Sequence, residues 1–292
     1  MDTKNESSRH TYCRDFAAFD IETTSYLDDG EKKAIVYSYC FQIGDEITIL
    51  RTAEEYQRFI RKIVDKYEVS PNKRFVIYVH NFAYEWQFIK FLHEWDLDSI
   101  FSNGSALNVI RACTIEGIEF RCSFALTNAS LKTVGEMVGV PKMVGDLDYS
   151  LMRHSLTELT PEEIGYIEND VKIITALIRQ KLVEDDFSSI PMTKTGYVRR
   201  TMREVRRGRN EGAKEYRDLI KQLILTPETY SLAREAFSGG YTHANGGVAG
   251  QTLHNVVAYD LGSSYPSSLS QFMFPMGRFE RVEVENVEDF DV

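Results

Sequence analysis

The sequence is poor in cysteine and lacks any long apolar run, and each shortage excludes a class of protein. Its four cysteines form no Cys-x-x-Cys pair, so we expect neither a disulfide framework nor a zinc site. Without a stretch of about 18 consecutive apolar residues, no transmembrane helix is expected. The polar N-terminal segment does not resemble a secretory signal. We therefore expect a reduced protein of the cytoplasm with no membrane partner.

Basic residues are fewer than acidic residues in this sequence. Lysine and arginine number 34 against 44 acidic residues, which gives a formal net charge of −10. Taken alone, this balance argues against nucleic-acid binding. The hydrophobic content of 43% is ordinary for a globular protein, and a length of 292 residues allows one or two domains.

Strand and helix patterns alternate along the first two thirds of the chain. Short β-branched and aromatic runs predict strands, whereas apolar residues at helical spacing predict helices. The predicted strands cover residues 16–21, 33–43, 46–50 and 75–79, with a hairpin over residues 107–124 that turns at Glu116-Gly117. The predicted helices cover residues 52–67, 82–93 and 130–138. This alternation favours one α/β domain.

The best-marked helix begins after Thr160. A proline at its first position and Glu163 at its third complete a capping box. Apolar residues then recur at steps of three and four, which predicts one buried face. Tyr166 and Asp170 are four residues apart, and we expect them to be neighbours at the edge of that face.

The composition changes after this helix. Residues 194–209 carry seven basic side chains and one acidic side chain, which is lopsided in an acidic protein. Helical patterns follow over residues 211–225 and 226–237. A glycine-rich stretch over residues 237–247 predicts strands joined by tight turns, and residues 256–261 predict a further strand.

Two carboxylates stand on the first predicted strand. Asp20 and Glu22 are two residues apart, so both side chains leave the same face, about 6–7 Å apart along the backbone. Anions this close repel unless a cation lies between them, and Mg²⁺ or Mn²⁺ prefers such oxygen ligands. A solvated or salt-bridged pair is the alternative, but the strand is otherwise apolar.

A polar segment joins the strand over residues 75–79 to the next helix. Asn81 is well placed as an N-cap, and Glu85 in the first turn favours the helix dipole. Both residues therefore have a purely structural interpretation when they are taken alone.

Together, three groups of polar residues resemble a known set of motifs. The groups are Asp20-x-Glu22, Asn81-x-x-Tyr84-Glu85 and Tyr166-x-x-x-Asp170. In this order they resemble the three motifs of proofreading 3′–5′ exonucleases of the DEDD type. The resemblance implies an RNase H-like α/β fold, a mixed sheet with flanking helices, and phosphodiester hydrolysis with two metal ions.

The resemblance also implies a role for each residue. Asp20, Glu22 and Asp170 match the metal ligands. Glu85 matches the fourth acid, and Tyr166 matches the residue that orients the attacking water. The family normally has aspartate where this chain has Glu85, and the extra methylene moves the carboxylate by about 1.5 Å, a displacement that can cost about 10²-fold in rate.

Further matched positions are expected to contact DNA. Thr23 directly follows the first motif, in position to touch a single-stranded 3′ end, and residues 130–132 resemble a family element that contacts single-stranded DNA. The full set of expected contacts in this domain is Thr23, His80, Asn81, Tyr84, Ser130, Leu131 and Lys132.

Residues 260–267 resemble motif A of family B DNA polymerases. In that motif the aspartate, here Asp260, binds the catalytic metal ions. The resemblance implies that Ser263 and Ser264 offer backbone N–H groups near the triphosphate, and that Tyr265 excludes a ribose 2′-OH.

Two further stretches are similar to the same family. Gly239 and Gly240 resemble the Tyr-x-Gly-Gly element between exonuclease and polymerase domains, where the absence of side chains lets a DNA backbone approach closely. Residues 145–149 and 160–170 resemble the protein-primed branch found in bacteriophages and linear plasmids. The basic segment fits this family as a phosphate-binding footprint, with Arg199 and Arg203 as expected DNA contacts. A solvated helix face is the alternative for that segment.

We therefore expect four regions along the chain. They are a polar tail (residues 1–13), an exonuclease domain (14–190), a basic helical connector (191–236) and the beginning of a polymerase palm (237–292). The second palm carboxylate motif does not follow, so we expect the N-terminal portion of a longer replicase that does not polymerise DNA unaided. A stand-alone exonuclease and a catalytically dead single-strand-binding module are the alternatives.

The expected partners are those of a proofreading replicase. They are a single-stranded 3′ end, primer–template DNA and a terminal-protein primer, bound by a monomer in the cytoplasm of a bacterial host. The expected cofactors are two Mg²⁺ or Mn²⁺ ions.

Overall fold

The chain divides into two units, residues 1–201 and 202–292. A computed structural model describes residues 10–143, 151–208, 213–237, 246–257, 259–260, 262–274 and 277.

The first unit is built on one mixed sheet, which has seven strands within the described residues. The strands are β1 (Thr11–Asp28), β2 (Glu31–Ile43), β3 (Glu46–Leu50), β4 (Lys73–Val79), β5 (Trp95–Ser102), β6 (Val109–Thr114) and β7 (Ile118–Cys122). Their order across the sheet is β3-β2-β1-β4-β7-β6-β5. β4 runs parallel to β1 and β7, and the other neighbours are antiparallel. The predicted mixed α/β class is confirmed.

Helices flank both faces of this sheet. They are α1 (Ala53–Tyr67), α2 (Phe82–Ile89), α3 (Ser123–Thr127), α4 (Leu131–Val138), α5 (Pro161–Lys181) and α6 (Lys194–Gly208), which continues to the start of the second unit. The capping box predicted for α5 is formed. Thr160 Oγ1 accepts the Glu163 N–H over 3.2 Å, and Glu163 Oε2 accepts the Thr160 N–H over 2.8 Å.

The alternation of side chains along β1 divides the core between the two faces. Phe19 points to the α1 side, where its ring lies 5.7 Å from that of Tyr56. Ala18 belongs to the opposite cluster, which also contains Ile167 and Val171 of α5. Because the period of a strand is two residues, the even-numbered side chains after Ala18 also face α5. This geometry positions the candidate site.

Sequence patterns missed strand β5 and misplaced the end of α2. β5 contains two aspartates and no clean alternation, which an edge strand tolerates because only one of its sides pairs. The helix predicted over residues 82–93 ends at Ile89. His93 lies beyond it, and its Nε2 is 2.6 Å from the Tyr56 hydroxyl in the core.

The second unit is helical where it is described. After the end of α6 come α7 (Ala213–Gln222), α8 (Pro227–Ala236), a 3₁₀ turn (Gly246–Val248) and α9 (Ser264–Gln271). None of the residues whose burial is described in this unit is buried. No helix in the described parts of either unit is long and apolar enough to cross a membrane.

Two local predictions in the second unit are wrong. The strand predicted over residues 256–261 is not formed at Val256, Val257, Tyr259 or Asp260, all of which are exposed. A strand needs a hydrogen-bonded neighbour, and the described residues of this unit contain none. Gly246–Val248 forms a 3₁₀ turn where strands and tight turns were expected. The rest of that glycine-rich prediction, residues 238–245, lies outside the described residues.

A buried ion cluster lies within the sheet of the first unit. The side chain of Glu119 is fully buried on β7 and accepts hydrogen bonds from Arg74 Nη1 (2.8 Å), Arg111 Nε (3.0 Å) and Arg121 Nε (2.8 Å). Burial alone would raise the pKa of Glu119, but the charges and hydrogen bonds of the arginines lower it to about 2.

Removing the Glu119 charge should destabilise the protein strongly. We expect Glu119→Gln to lower the free energy of unfolding by about 3–5 kcal/mol at neutral pH, because the arginines would lose their buried counter-charge. Urea unfolding measures this loss. Since the pKa is lowered, the stabilisation should be present above about pH 4.5 and disappear as the pH falls towards 2.

An exposed carboxylate provides the control. Glu68 bonds Lys73 over 3.2 Å with 84% of its side chain exposed, so Glu68→Gln should cost at most about 1 kcal/mol. Equal losses in the two variants would contradict a stabilising role for the buried cluster.

Candidate metal centre

Three carboxylates from a strand and a helix converge at one point. Asp20 and Glu22 of β1 and Asp170 of α5 each offer an oxygen, and these oxygens lie within 4.8 Å of one another. Asp20 and Glu22 share a face of β1, as their spacing predicts, and that face is the one covered by α5. Residues about 150 positions apart in the sequence are thus brought together by the packing of α5 on the sheet.

Helix α5 buries a wider surface than its apolar stripe predicts. Asp170 was expected at the edge of the buried face, yet it is only 5% exposed, and its neighbour Asn169 is also buried. Asn169 Oδ1 accepts the Met143 N–H over 2.7 Å, and its Nδ2 donates to the Pro141 carbonyl over 3.3 Å. Asn169 therefore holds the segment after α4 against α5.

That segment supplies a residue that sequence reasoning missed. Lys142 Nζ donates to both carboxylate oxygens of Asp170, over 2.6 and 2.9 Å, and lies 5.0 Å from the centre of the Tyr166 ring. No sequence pattern links Lys142 to Asp170, because the two residues are 28 positions apart and belong to different elements. Lys142 provides a positive charge that partly offsets the three carboxylates.

The carboxylates resist ionisation in this protein environment. Burial raises the pKa of Asp20 well above its usual range, and the charges of Glu22, Glu85 and Asp170 raise it further. Burial, followed by the charge of Asp170, raises the pKa of Glu22 to about 7. Burial also raises the pKa of Asp170, although the Lys142 charge opposes this.

Glu85 lies beside these carboxylates on the first turn of α2. It is only 4% exposed, and its Oε2 has no hydrogen-bond partner among the described residues. Burial raises its pKa to about 8, with a further contribution from the charge of Glu22. The helix-dipole interpretation does not account for a buried carboxylate oxygen without a partner, whereas a cation in the site would.

The donor set suits a hard divalent cation. All the converging groups are carboxylates, the ligands that Mg²⁺ and Mn²⁺ prefer, and their net charge is negative. The unpartnered Oε2 of Glu85 is a further oxygen available to an ion. The residues present therefore fit the expected metal ions.

Several residues expected to contact DNA lie on β1 and around the start of α2. Asn81 occupies the N-cap position of α2, as expected, but it adopts a left-handed conformation (φ 65°, ψ 49°) and its side chain makes no capping hydrogen bond. Thr23 Oγ1 is 2.5 Å from the hydroxyl of Tyr84. His80 Nδ1 is 3.0 Å from Ser123 Oγ, and burial followed by the Lys142 charge lowers the pKa of His80 to about 4.

Two of the three residues at 130–132, which were expected to contact DNA, have structural roles in the fold. Ser130 is the N-cap of α4 and accepts the Thr133 N–H over 3.2 Å. Leu131 is buried in the core, and Lys132 is exposed. Ser130 and Lys132 are both exposed, and the side chain of Lys132 is the one that is not used to cap α4.

The polymerase-like positions lie in the second unit. Asp260 is exposed, Ser263 has a left-handed φ of 56° before α9, and Ser264 and Tyr265 begin that helix. Among the described residues, Asp260 does not belong to a cluster of three or more potential metal ligands. Gly239 and Gly240, like the motif at residues 145–149, lie outside the described residues.

The basic residues expected to bind DNA lie on α6. Arg199 and Arg203 are exposed and one helical turn apart, so they share a face. Arg200 instead bonds Asp185 through Nη1 (2.5 Å) and Nη2 (3.2 Å).

Comparison with solved structures identifies the fold. Phi29 DNA polymerase complexed with single-stranded DNA has a similar structure, with a TM-score of 0.60 and 20% sequence identity over 82% of this chain and 42% of that chain. Phi29 DNA polymerase complexed with primer-template DNA gives the same TM-score at 19% identity. The mixed α/β fold of this chain is therefore similar to that of part of phi29 DNA polymerase.

Curated relatives agree with this fold. The DNA polymerase of Streptococcus phage Cp-1 is 24% identical over 275 residues, which cover 90% of this chain and 46% of that protein. The DNA polymerase of Bacillus phage M2 is 23% identical over 88% of this chain and 45% of its own length. The chain thus spans about half the length of the curated relatives it matches.

The family described as DNA polymerase type B, organellar and viral, matches residues 142–292, just over half of the chain. The chain belongs to this family.

Neutralising Glu85 should stabilise the metal-free protein at alkaline pH. The pKa of Glu85 is raised from 4.5 to about 8, so the folded state loses stability as the pH rises through this range. Glu85→Gln removes the burial of a charge, and we expect it to raise the free energy of unfolding by about 1–3 kcal/mol at pH 8 in the presence of EDTA. Urea unfolding at pH 5 and pH 8 measures the difference.

Glu54 is a matched control, because it is an exposed acid in the first turn of α1. Glu54→Gln should not stabilise the protein at either pH, since the charge of Glu54 is already hydrated and favours the helix dipole. If Glu85→Gln is no more stable than the wild type at pH 8, then burial of the ionised Glu85 carboxylate does not destabilise the folded state.

Proposed function

We propose that the first unit is a 3′–5′ exonuclease that shortens a single-stranded DNA end within a DNA polymerase of the replication machinery. The observation that carries this proposal is the convergence of Asp20, Glu22 and Asp170 from β1 and α5. These are the three positions that match the metal ligands of DEDD exonucleases. Tyr166 and Glu85, the other two matched positions, lie next to them.

Each residue has a distinct task in this proposal. Asp20, Glu22 and Asp170 hold the Mg²⁺ or Mn²⁺ ions, and Glu85 supplies the fourth carboxylate. When bound, two such ions supply the positive charge that activates a water molecule and stabilises the departing 3′ oxygen. Tyr166 orients the attacking water through its hydroxyl. Asp170 and Glu85 are buried and Asp20 and Glu22 partly buried, which strengthens each electrostatic interaction in the site.

Residues on β1 and around the start of α2 are suited to hold the DNA end. The hydrogen bond between Thr23 and Tyr84 links β1 to α2, and the ring of Tyr84 is 40% exposed. An exposed ring of this kind offers a base a surface on which to stack. Asn81 is exposed and its side chain makes no capping hydrogen bond, so its amide is available to a ligand. With His80 and Lys132, these residues form the proposed binding surface for the 3′ end.

The wider proposal concerns the second unit. We assign residues 14–190 to the exonuclease domain, residues 191–236 to a basic connector and residues 237–292 to the beginning of a polymerase palm. The tail expected over residues 1–13 is shorter by the residues from Thr11 onward, which belong to β1. In the palm, Asp260 is proposed as a metal ligand, and residues 263–265 as contacts of the incoming nucleotide. Gly239 and Gly240 are proposed to approach the DNA backbone.

The proposed partners follow from the same relatives. The solved phi29 DNA polymerase structures contain primer-template DNA or single-stranded DNA, which supports both as ligands of this chain. A terminal protein as primer, a monomeric state and a site of action in the bacterial cytoplasm belong to the same proposal, through the resemblance to phage replicases.

Removing one metal ligand should abolish the nuclease activity. With Mg²⁺ and a labelled single-stranded oligonucleotide, we expect the wild type to shorten the substrate from its 3′ end. Asp20→Ala should reduce the rate by at least about 10³-fold, because the ion that depends on this carboxylate is lost. Gel analysis of the products measures both the rate and the direction of digestion.

Asp98, an exposed residue of β5, provides the matched control. Asp98→Ala should digest the oligonucleotide like the wild type. Equal activity of Asp20→Ala and the wild type would contradict the assignment. Calorimetry with Mn²⁺ separates an active site from a catalytically dead module, which would show no binding that depends on Asp20 and Asp170.

The basic face of α6 should contribute to DNA affinity. Reversing the charges in Arg199→Glu/Arg203→Glu should weaken DNA binding and reduce the slope of log affinity against log salt by about two, one for each phosphate that is no longer neutralised. Fluorescence anisotropy over a range of salt concentrations measures this slope. The double reversal Arg58→Glu/Arg61→Glu on exposed positions of α1 makes the same change in net charge. If both double variants reduce the slope equally, the reduction reflects net charge alone. Phosphate binding by Arg199 and Arg203 on α6 is then refuted.

A further inference from the structure

Arg153 lies beside the candidate metal centre, in the segment that precedes α5. It is only 7% exposed. An arginine keeps its charge when it is buried, so its guanidinium has to be paired within the protein. The partners of Arg153 therefore indicate which parts of the structure it joins.

Two of these partners belong to the elements that carry the carboxylates. The backbone N–H of Arg153 donates to Thr24 Oγ1 over 3.0 Å, and its Nε donates to Glu163 Oε1 over 2.5 Å. Thr24 follows Glu22 by two residues and shares its face of β1. Glu163 precedes Tyr166 by three residues and shares its side of α5. We call Arg153, Thr24 and Glu163 the Arg153 bridge.

The bridge is anchored at both ends. Glu163 Oε2 accepts the Thr160 N–H over 2.8 Å, so its carboxylate is fixed by the capping box. The next residue, His154, accepts a hydrogen bond from Arg51 Nη2 over 3.0 Å, and Arg51 Nε donates to the Tyr37 carbonyl on β2 over 2.8 Å. The segment is thus attached to two strands of the sheet and to the first turn of α5.

We propose that Arg153 is a positioning residue for the metal centre, because it sets the separation between the carboxylates of β1 and Asp170 of α5. This proposal rests on the proposed function. The charge of Asp170 acts unfavourably on Asp20 and Glu22, and repulsion of this kind favours a larger separation between α5 and β1. The Arg153 bridge opposes that separation, because it links α5 to Thr24, two residues after Glu22 on β1. Residues that orient metal ligands in this way typically change metal affinity by about 10–100-fold when they are replaced.

The first test removes the side-chain half of the bridge. Arg153→Ala should weaken Mn²⁺ binding by at least about 10-fold in calorimetry and raise the Mg²⁺ concentration that gives the half-maximal exonuclease rate. The maximal rate at saturating Mg²⁺ should fall less than the Mn²⁺ affinity, since Arg153 does not contact the reacting atoms. Arg153→Lys keeps the charge and should restore part of the affinity. Adding Glu163→Gln to Arg153→Ala should cause no further loss, because both changes break the same interaction.

The second test changes the other half of the bridge without changing any charge. Thr24→Val keeps the shape of the side chain but removes the acceptor oxygen, whereas Thr24→Ser keeps the oxygen. We expect Thr24→Val to weaken Mn²⁺ binding and Thr24→Ser to bind Mn²⁺ like the wild type. If Arg153→Ala does not fold, the comparison of Thr24→Val with Thr24→Ser still tests the positioning role of Arg153.

Arg179 provides a control for general destabilisation. It joins the other end of α5 to the sheet, since its Nη2 donates to the Gly44 carbonyl and to Asp45 Oδ1, each over 2.8 Å. Arg179→Ala should leave the Mn²⁺ affinity unchanged, even if its thermal midpoint falls as far as that of Arg153→Ala.

The outcomes separate this proposal from the proposed function. Mn²⁺ affinities of Arg153→Ala and Thr24→Val within about twofold of the wild type, together with loss of binding in Asp20→Ala, would overturn the positioning role alone. A wild-type protein whose Mn²⁺ binding does not depend on Asp20 would overturn the proposed function, and the positioning role with it.

Discussion

Repulsion between carboxylates brought together from a strand and a helix is the constraint on which the candidate site depends. Asp20, Glu22 and Asp170 have oxygens within 4.8 Å of one another, in surroundings that raise the pKa of each. Such an arrangement persists because β1 is hydrogen-bonded between two neighbouring strands and α5 is packed on it over a long apolar face. The fold thus holds charges in positions that they would not adopt by themselves, and a divalent cation relieves that strain.

A second cluster in the same sheet shows the opposite arrangement. Glu119 is surrounded by three arginines, and its pKa is lowered to about 2, so its charge is satisfied within the protein. The carboxylates around Asp20 are offset in part by the Lys142 ammonium and by the nearby charge of Arg153. The Glu119 cluster serves stability, whereas the carboxylates around Asp20 lack sufficient positive charge within the protein and offer oxygens to a cation. This contrast, more than burial alone, distinguishes a structural ion cluster from a candidate active site.

Sequence patterns predicted the regular parts of the first unit because these parts have clear periodicity. The capping box and apolar stripe of α5 are present, and β2 lies near its predicted bounds. β1 is present but extends from Thr11 to Asp28, well beyond the predicted residues 16–21. Prediction failed where tertiary contacts outweigh local preference. β5 is an edge strand without clean alternation, and Asn81 adopts a left-handed conformation without capping α2. In the second unit, an apolar run at residues 256–261 predicted a strand, yet its described residues have no strand beside them with which to pair.

The sequence by itself determined the chemical identity of the site and the elements that carry it. A two-residue spacing on a strand and a four-residue spacing on a helix place side chains on one face through backbone geometry alone. Only the tertiary structure decided which faces meet. It brought Lys142 to Asp170, left Glu85 Oε2 buried without a partner among the described residues, and joined β1 to α5 through Arg153. These interactions link residues far apart in the chain, and they depend on packing rather than on any local pattern.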